Sequence, residues 1–393
     1  MYDVFLKGGE IIDPSQKMRT TCSVAIQNGK IAALGAELPA MEARTVLDMR
    51  GKIISPGLID LHCHAALGFA ALGVAADEAG LNTGVTLLGD GGSAGAANFE
   101  AFRRLVVQPA RTEVYSFLNL AKAGLISMPE IFSPRDIDIE LSKRVAEAHR
   151  EIIKGIKVRA IQPLAEGLGI KGIEMAKKLA QSLKMPLMVH IGETRDRMEK
   201  DRMDDFSRSA VSLLERGDIL SHFLTWEPGG MILPDGTVYP ELEAARKRGV
   251  YLDSCHGMNH FSFAVARHAL ARGFIPHIIS TDLSSNNSSV TQSLSVVMSK
   301  FLNLGLSLDQ VIEMTTVNPA RAVGEEGRRG SLKVGMPADL TILEAVKGDF
   351  LFSDGKGCGS LRGEVLLEPR MVFQSGKMMP AYSRYQIPPV FSP

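Results

Sequence analysis

Between residues 54 and 281 short apolar runs alternate with helix-forming runs, and this alternation limits the chain to very few architectures. Apolar, β-branched stretches at residues 54–64, 85–89, 113–118, 156–160, 187–190, 219–222, 250–253 and 277–281 read as eight strands, with amphipathic segments at 142–154, 172–183, 207–216 and 263–272 among the connections. Strands separated by helices form parallel sheets. Eight such units fit a (β/α)8 TIM barrel, an α/β fold whose functional groups gather at the carboxyl ends of the strands. An open doubly wound sheet is the alternative. Its glycine-rich dinucleotide fingerprint is not met by Gly89-Asp90-Gly91-Gly92-Ser93, which lacks both the spacing and the downstream acid.

The two ends of the chain read differently. Short strands fill residues 1–53 and recur in 326–393, with tight-turn signals at Asn28-Gly29 and Ser375-Gly376-Lys377. The ends are therefore expected to fold together as a small β-sandwich, in two parts at 1–53 and 326–393, with the barrel of residues 54–325 inserted between them.

Composition excludes several classes of partner. The 44 basic residues balance 44 acidic ones, so no overall field recommends nucleic acid or an anionic membrane, and a small-molecule substrate is the expectation. Cys22, Cys63, Cys255 and Cys358 show no C-x-x-C spacing, which argues against a disulfide framework or a cysteine-rich zinc site. Asp3 and Lys7 interrupt the first apolar stretch, so a secretory leader is not expected and a cytoplasmic location is.

The chemistry-bearing residues fall at predicted strand ends. In Ile59-Asp60-Leu61-His62-Cys63-His64, strict alternation would put Asp60, His62 and His64 on one face. The fifth strand ends in His190, the sixth in His222, and Asp282 follows the eighth. One histidine at a strand end is ordinarily a hydrogen-bonded structural residue. Coincidence at several strand ends of one barrel points to a metal site. Lys157 and Arg159 share a face of the fourth strand. A protonated Lys157 inside a barrel is costly, whereas its neutral amine can take up carbon dioxide and become an anionic metal bridge. Arg159 can grip a substrate carboxylate or form an ordinary salt bridge to a loop acid, and His256, after the seventh strand, can orient a polar substrate group or stand as a plain loop histidine.

These residues carry a family resemblance. Gly57-Leu58-Ile59-Asp60-Leu61-His62-Cys63-His64, then Lys157, His190, His222 and Asp282, then Val317-Asn318-Pro319-Ala320 and the run from Gly330 to Leu340, together resemble the amidohydrolase superfamily, in its dihydroorotase, hydantoinase and deacetylase-like branch. The resemblance implies a binuclear metal-dependent hydrolase. His62, His64 and Asp282 would hold one divalent ion and His190 and His222 the other, with N6-carboxylated Lys157 and a hydroxide between them. Zinc is the default, with manganese, iron or cobalt compatible with the same ligands. The hydroxide would attack an amide or ester carbonyl, with Asp282 as the proton shuttle. Relatives of this kind often assemble, so a homo-oligomer is expected. Ala65 and Ala66 follow the H-x-H where dihydroorotases carry an arginine, and no tyrosine lies between Tyr115 and Tyr239 where hydantoinases place one. Both departures favour the deacetylase-like members, which act on small carboxylate-bearing acyl compounds. The alternatives are a cyclic amidase and a nucleobase deaminase, since His190-Ile191-Gly192-Glu193 resembles the H-A-G-E run of adenosine deaminases.

Overall fold

A computed structural model describes residues 1–38, 43–194, 198–357 and 359–387 of the chain. The amino-terminal strands are β1 (Tyr2–Asp13), β2 (Met18–Gln27), β3 (Lys30–Gly35), β4 (Ala43–Asp48) and β5 (Ile53–Pro56). Seven strands follow at helix-separated intervals: β6 (Leu58–Cys63), β7 (Val85–Asp90), β8 (Glu113–Asn119), β9 (Ile153–Arg159), β10 (Leu187–His190), β11 (Ile219–Ser221) and β12 (Tyr251–Asp253). The chain closes with β13 (Leu340–Ser353), β14 (Ser360–Gln374) and β15 (Lys377–Pro380).

The two ends do meet. They form one mixed sheet in the order β15-β14-β13-β5-β1-β2-β3, with β4 also paired to β1. The β2–β3 turn has positive φ at both Asn28 and Gly29, and the β14–β15 turn has it at Ser375 and Gly376, the geometry that two-residue hairpins demand. Leu6, Ile11, Val24, Ile26, Ile54, Leu340 and Phe373 give this sheet its own buried core. The first predicted strand is two strands. Pro56-Gly57 divides it, so β5 pairs with β1 and β13 while β6 enters the barrel.

Strands β6 to β12 are all parallel and lie in sequence order, a curled TIM-like barrel wall clad by helices such as Ile139–Ala148, Ile170–Leu183 and Lys200–Ser212. The helix expected to run to residue 154 stops at Ala148, and residues 153–159 extend as β9. No regular eighth strand forms; residues 277–283 close the wall by scattered backbone bonds. Ser254 and His256 donate to the carbonyls of Ile278 (3.0 Å) and Ser280 (3.1 Å) on one side. On the other, Asp282 donates to His62 (2.7 Å) and His64 to Leu283 (2.9 Å). Asp282 has φ 53°, a left-handed conformation that ends any extended run at that point.

The inside of the barrel is filled by Ile59, Leu61, Leu87, Phe117, Met188, Ile219 and Ile278 from all round the ring. Ile59 and Leu61 thus point inward, and His62 joins them against the strict alternation expected for β6. A register shift between Asp60 and Cys63 explains it, since an irregularity lets His62 also face the interior while Cys63 packs outward with Leu88 and Leu118. Among the described residues no helix is long and apolar enough to cross a membrane. Cys22, Cys63 and Cys255 are buried free thiols, and Cys358 lies outside the described residues.

Candidate metal centre

The parallel register sets the layers at the rim. Asn119, Lys157 and Met188 are successive lateral partners in one layer, and Arg159, His190, Ser221 and Asp253 in the layer above. His62 and His64 arrive at this rim from the end of β6 and Asp282 from the closing segment. Asp60 fixes that segment, its carboxylate accepting from Thr281 N (3.0 Å) and Thr281 Oγ1 (2.6 Å). The result is a cavity of about 200 Å³ lined by His62, His64, Lys157, Arg159, His190, His260 and Asp282 among others.

His62, His64 and His222 each have one nitrogen tied to the scaffold and another turned inward. His62 Nδ1 lies 3.2 Å from Ser221 Oγ and 3.5 Å from Asp253 Oδ2, leaving Nε2 3.0 Å from Lys157 Nζ. His64 Nδ1 lies 3.0 Å from Ser93 Oγ, and its Nε2 lies 3.2 Å from Asp282 Oδ1. His222 Nδ1 donates to the Cys255 carbonyl at 2.7 Å. The Nε2 atoms of both His190 and His222 are buried with no hydrogen-bond partner among the described residues. Such orphaned nitrogens are costly unless they bind something, and outer-nitrogen tethering is how metal-binding histidines are oriented. His222, Cys255 and Asp282 all have left-handed backbone conformations, strain that concentrates where the chain must aim side chains at one point.

The electrostatics suit cations. Burial pushes the imidazoles of His62, His190 and His222 well below the usual histidine range, so they are neutral ligands. Burial would raise the Asp282 carboxyl, but its bond to His64 and the fields of His64, His62 and His260 outweigh it and hold it at about 2. Burial brings the Lys157 amine down to about 8. Two sets of potential ligands have donor atoms within 4.8 Å of one another: His62, His222, Cys255 and Asp282, and His190, His222 and His260. These donors are nitrogen, carboxylate and thiol, a chemistry that fits a borderline divalent ion.

The expected residues divide as follows. His62, His64, Lys157, Arg159, His190 and Asp282 line the cavity, and His222 lies fully buried behind it within both ligand sets. Arg159 reaches the cavity while bonded to buried Glu130, with Nη1 3.1 Å from Oε2. His256 does not line the cavity. Its ring stacks on Phe261 with centroids 4.3 Å apart, and its nitrogens are engaged by the Gly257 carbonyl and Lys300 Nζ, each at 2.8 Å. A ring so committed points away from the substrate contact expected of it. The same loop supplies His260 instead, which the sequence reading missed along with Cys255 and Asp253. Strand-end position alone marks out Asp253; nothing in a one-dimensional pattern separates His260 from His256.

Comparison with known proteins agrees with this geometry. The chain is similar to a deacetylase of Agrobacterium fabrum, 35% identical over 362 residues covering 91% of this chain and 86% of that protein. Among solved structures it resembles a dihydroorotase (TM-score 0.85, 32% identity, 98% of this chain and 100% of that one). It also resembles an adenine deaminase (TM-score 0.86, 28% identity, 97% of this chain and 100% of that one). The amidohydrolase family model matches residues 53–380, a span that holds the whole rim just described. The chain therefore belongs to the amidohydrolase family, as a hydrolase whose histidine, cysteine and aspartate groups at the barrel rim could hold a metal ion.

Proposed function

We propose that the chain is a binuclear metal-dependent hydrolase that removes an acyl group from a small, carboxylate-bearing amide or ester. The observation that carries this reading is Lys157, a residue 1% exposed whose amine sits 3.0 Å from His62 Nε2 in a cavity lined by imidazoles. A cation there would repel any metal, whereas a carbamate anion formed from the neutral amine and carbon dioxide, with release of a proton, suits two ions at once. His62, His64 and Asp282 would hold one ion, and His190 and His222 the other, with carboxylated Lys157 shared between them. When bound, such a pair supplies Lewis acidity and makes water ionisable near neutral pH.

The chain's own groups account for the remaining steps. Asp282, ionised throughout the neutral range, takes a proton from the attacking water and returns it to the leaving nitrogen or oxygen. Arg159, held by Glu130 at the cavity wall, pairs with the substrate carboxylate. Leu72, Leu125, Met128 and Met258 line the apolar part of the cavity and exclude water around the acyl group. The deacetylase relative from Agrobacterium fabrum supports acyl removal.

Nucleobase deamination is the competing reading, and it requires Glu193 beside the reacting carbon. Glu193 Oε2 instead accepts from Gln162 N at 2.6 Å, and the residue is not part of the cavity lining. The test is to load the protein with zinc and bicarbonate, count metal per chain by mass spectrometry, and assay N-acetyl amino acids, O-acetyl hydroxy acids, adenine and cytosine. Two ions with acetate release support the proposal. One ion with ammonia release from a nucleobase overturns it.

A further inference from the structure

We infer that His260 is a third imidazole ligand for the outer ion, beside His190 and His222, so that this ion is held by nitrogen alone before Lys157 acquires its carboxyl group. The inference rests on the proposed metal centre and adds a ligand to it.

Three rings from three separate elements converge. The His260 centroid lies 4.7 Å from that of His190 and 4.4 Å from that of His222, and the last two are 4.2 Å apart. One nitrogen from each ring falls within 4.8 Å of the others. Two of those rings carry the buried Nε2 atoms that have no partner among the described residues. His260 is 7% exposed, and its Nδ1 has Thr225 Oγ1 at 3.4 Å, a weak outer tether. Neutral imidazoles whose lone pairs share one small volume repel each other, and a divalent cation turns that repulsion into binding.

The local backbone is built around this contact. A Cβ placed at Gly192, two residues after His190, would stand 2.9 Å from His260 Nδ1, so the approach of the His260 ring depends on the missing side chain there. His222 is aimed by its left-handed φ of 65°. Without His260 the outer ion would have only two protein nitrogens until the carbamate forms. With it there are three and an open fourth position, the arrangement catalytic zinc sites use.

The direct test soaks crystals of the unaltered protein in cobalt(II) under carbon dioxide-depleted buffer and locates the ion by anomalous scattering. An ion within about 2.0–2.2 Å of nitrogens on His190, His222 and His260 supports the inference. An ion contacting His190 and His222 without His260 overturns it, and so does the absence of an ion beside those two rings. In solution, Lys157→Ala/Asp282→Ala removes the carbamate and the inner carboxylate. That protein should retain one cobalt per chain with its visible absorption, and adding His260→Phe or His260→Gln should weaken cobalt binding by about 100-fold or more. Unchanged cobalt affinity in both His260 variants, with thermal melting showing them folded, overturns it too. Failure of the binuclear reading looks different: the unaltered protein with bicarbonate would then hold fewer than two ions whatever stands at position 260.

Discussion

The most exacting prediction concerns Gly91, which carries no chemistry of its own. It follows β7 and lies against the His62 ring. A Cβ built at this position would stand 2.3 Å from His62 Cδ2 and 2.4 Å from Nε2. Ordinary contact between such atoms begins at about 3.5 Å, so in Gly91→Ala the ring must retreat by about 1 Å. Metal–ligand distances tolerate only about 0.2 Å. The methyl group therefore takes His62 Nε2 out of coordination without removing any ligand from the chain, and metal affinity should fall by about 10- to 100-fold or more. Competition with a chelator gives the affinity, and thermal melting establishes that the variant is folded. Gly327→Ala is the control, since nothing lies within 4 Å of its added Cβ and its φ is not left-handed; it should bind metal normally. Metal binding by folded Gly91→Ala at the unaltered affinity would refute the placement of His62 as a ligand.

Three further outcomes follow from the packing around the site. Lys300 is buried, its ammonium donating to His256 Nε2 (2.8 Å), Ser353 O (2.9 Å) and Val290 O (3.0 Å), and burial lowers its pKa to about 7. Between about pH 7 and 10 the unfolded chain binds one proton more at this lysine, so its contribution to stability rises with pH by up to about 1.4 kcal/mol per unit and is lost as pH falls through that window. Urea unfolding at pH 7.5 and 9.5 should therefore show the unaltered protein gaining stability relative to Lys300→Met at the higher pH; a relative loss contradicts this. Asp13, fully buried, accepts from Ser15, Gln16, Ser331 and Leu332 and so ties β1 to the returning chain, and Asp13→Ala should cost about 3 kcal/mol in urea unfolding. Arg159→Met should raise KM for an N-acetyl amino acid by about tenfold or more while changing kcat less, and should leave KM for the corresponding amide little altered.

Much of this architecture is legible in one dimension because period-two apolar runs and turn chemistry are local properties. The seven barrel strands, both left-handed hairpin turns and the clustering of His62, His64, Lys157, His190 and Asp282 all follow from such signals. What escapes is non-local. The eighth stave is an irregular segment because Asp282 is twisted into a left-handed turn by bonds to β6, and no local propensity encodes that. The turning of His62 to the same inner face as Ile59 and Leu61 comes from a register shift that strict alternation cannot anticipate. His256 and His260 share one loop, and which of them reaches the cavity depends on Lys300 and Phe261 capturing the first ring.

The central claim is that Lys157 acts as an anion between two ions. A crystal structure of the protein grown with zinc and bicarbonate, with anomalous data collected at the zinc edge, measures it directly. The account predicts two zinc peaks about 3.5–4 Å apart, with added density on Lys157 Nζ between them. A single peak, with Lys157 unmodified, would contradict it.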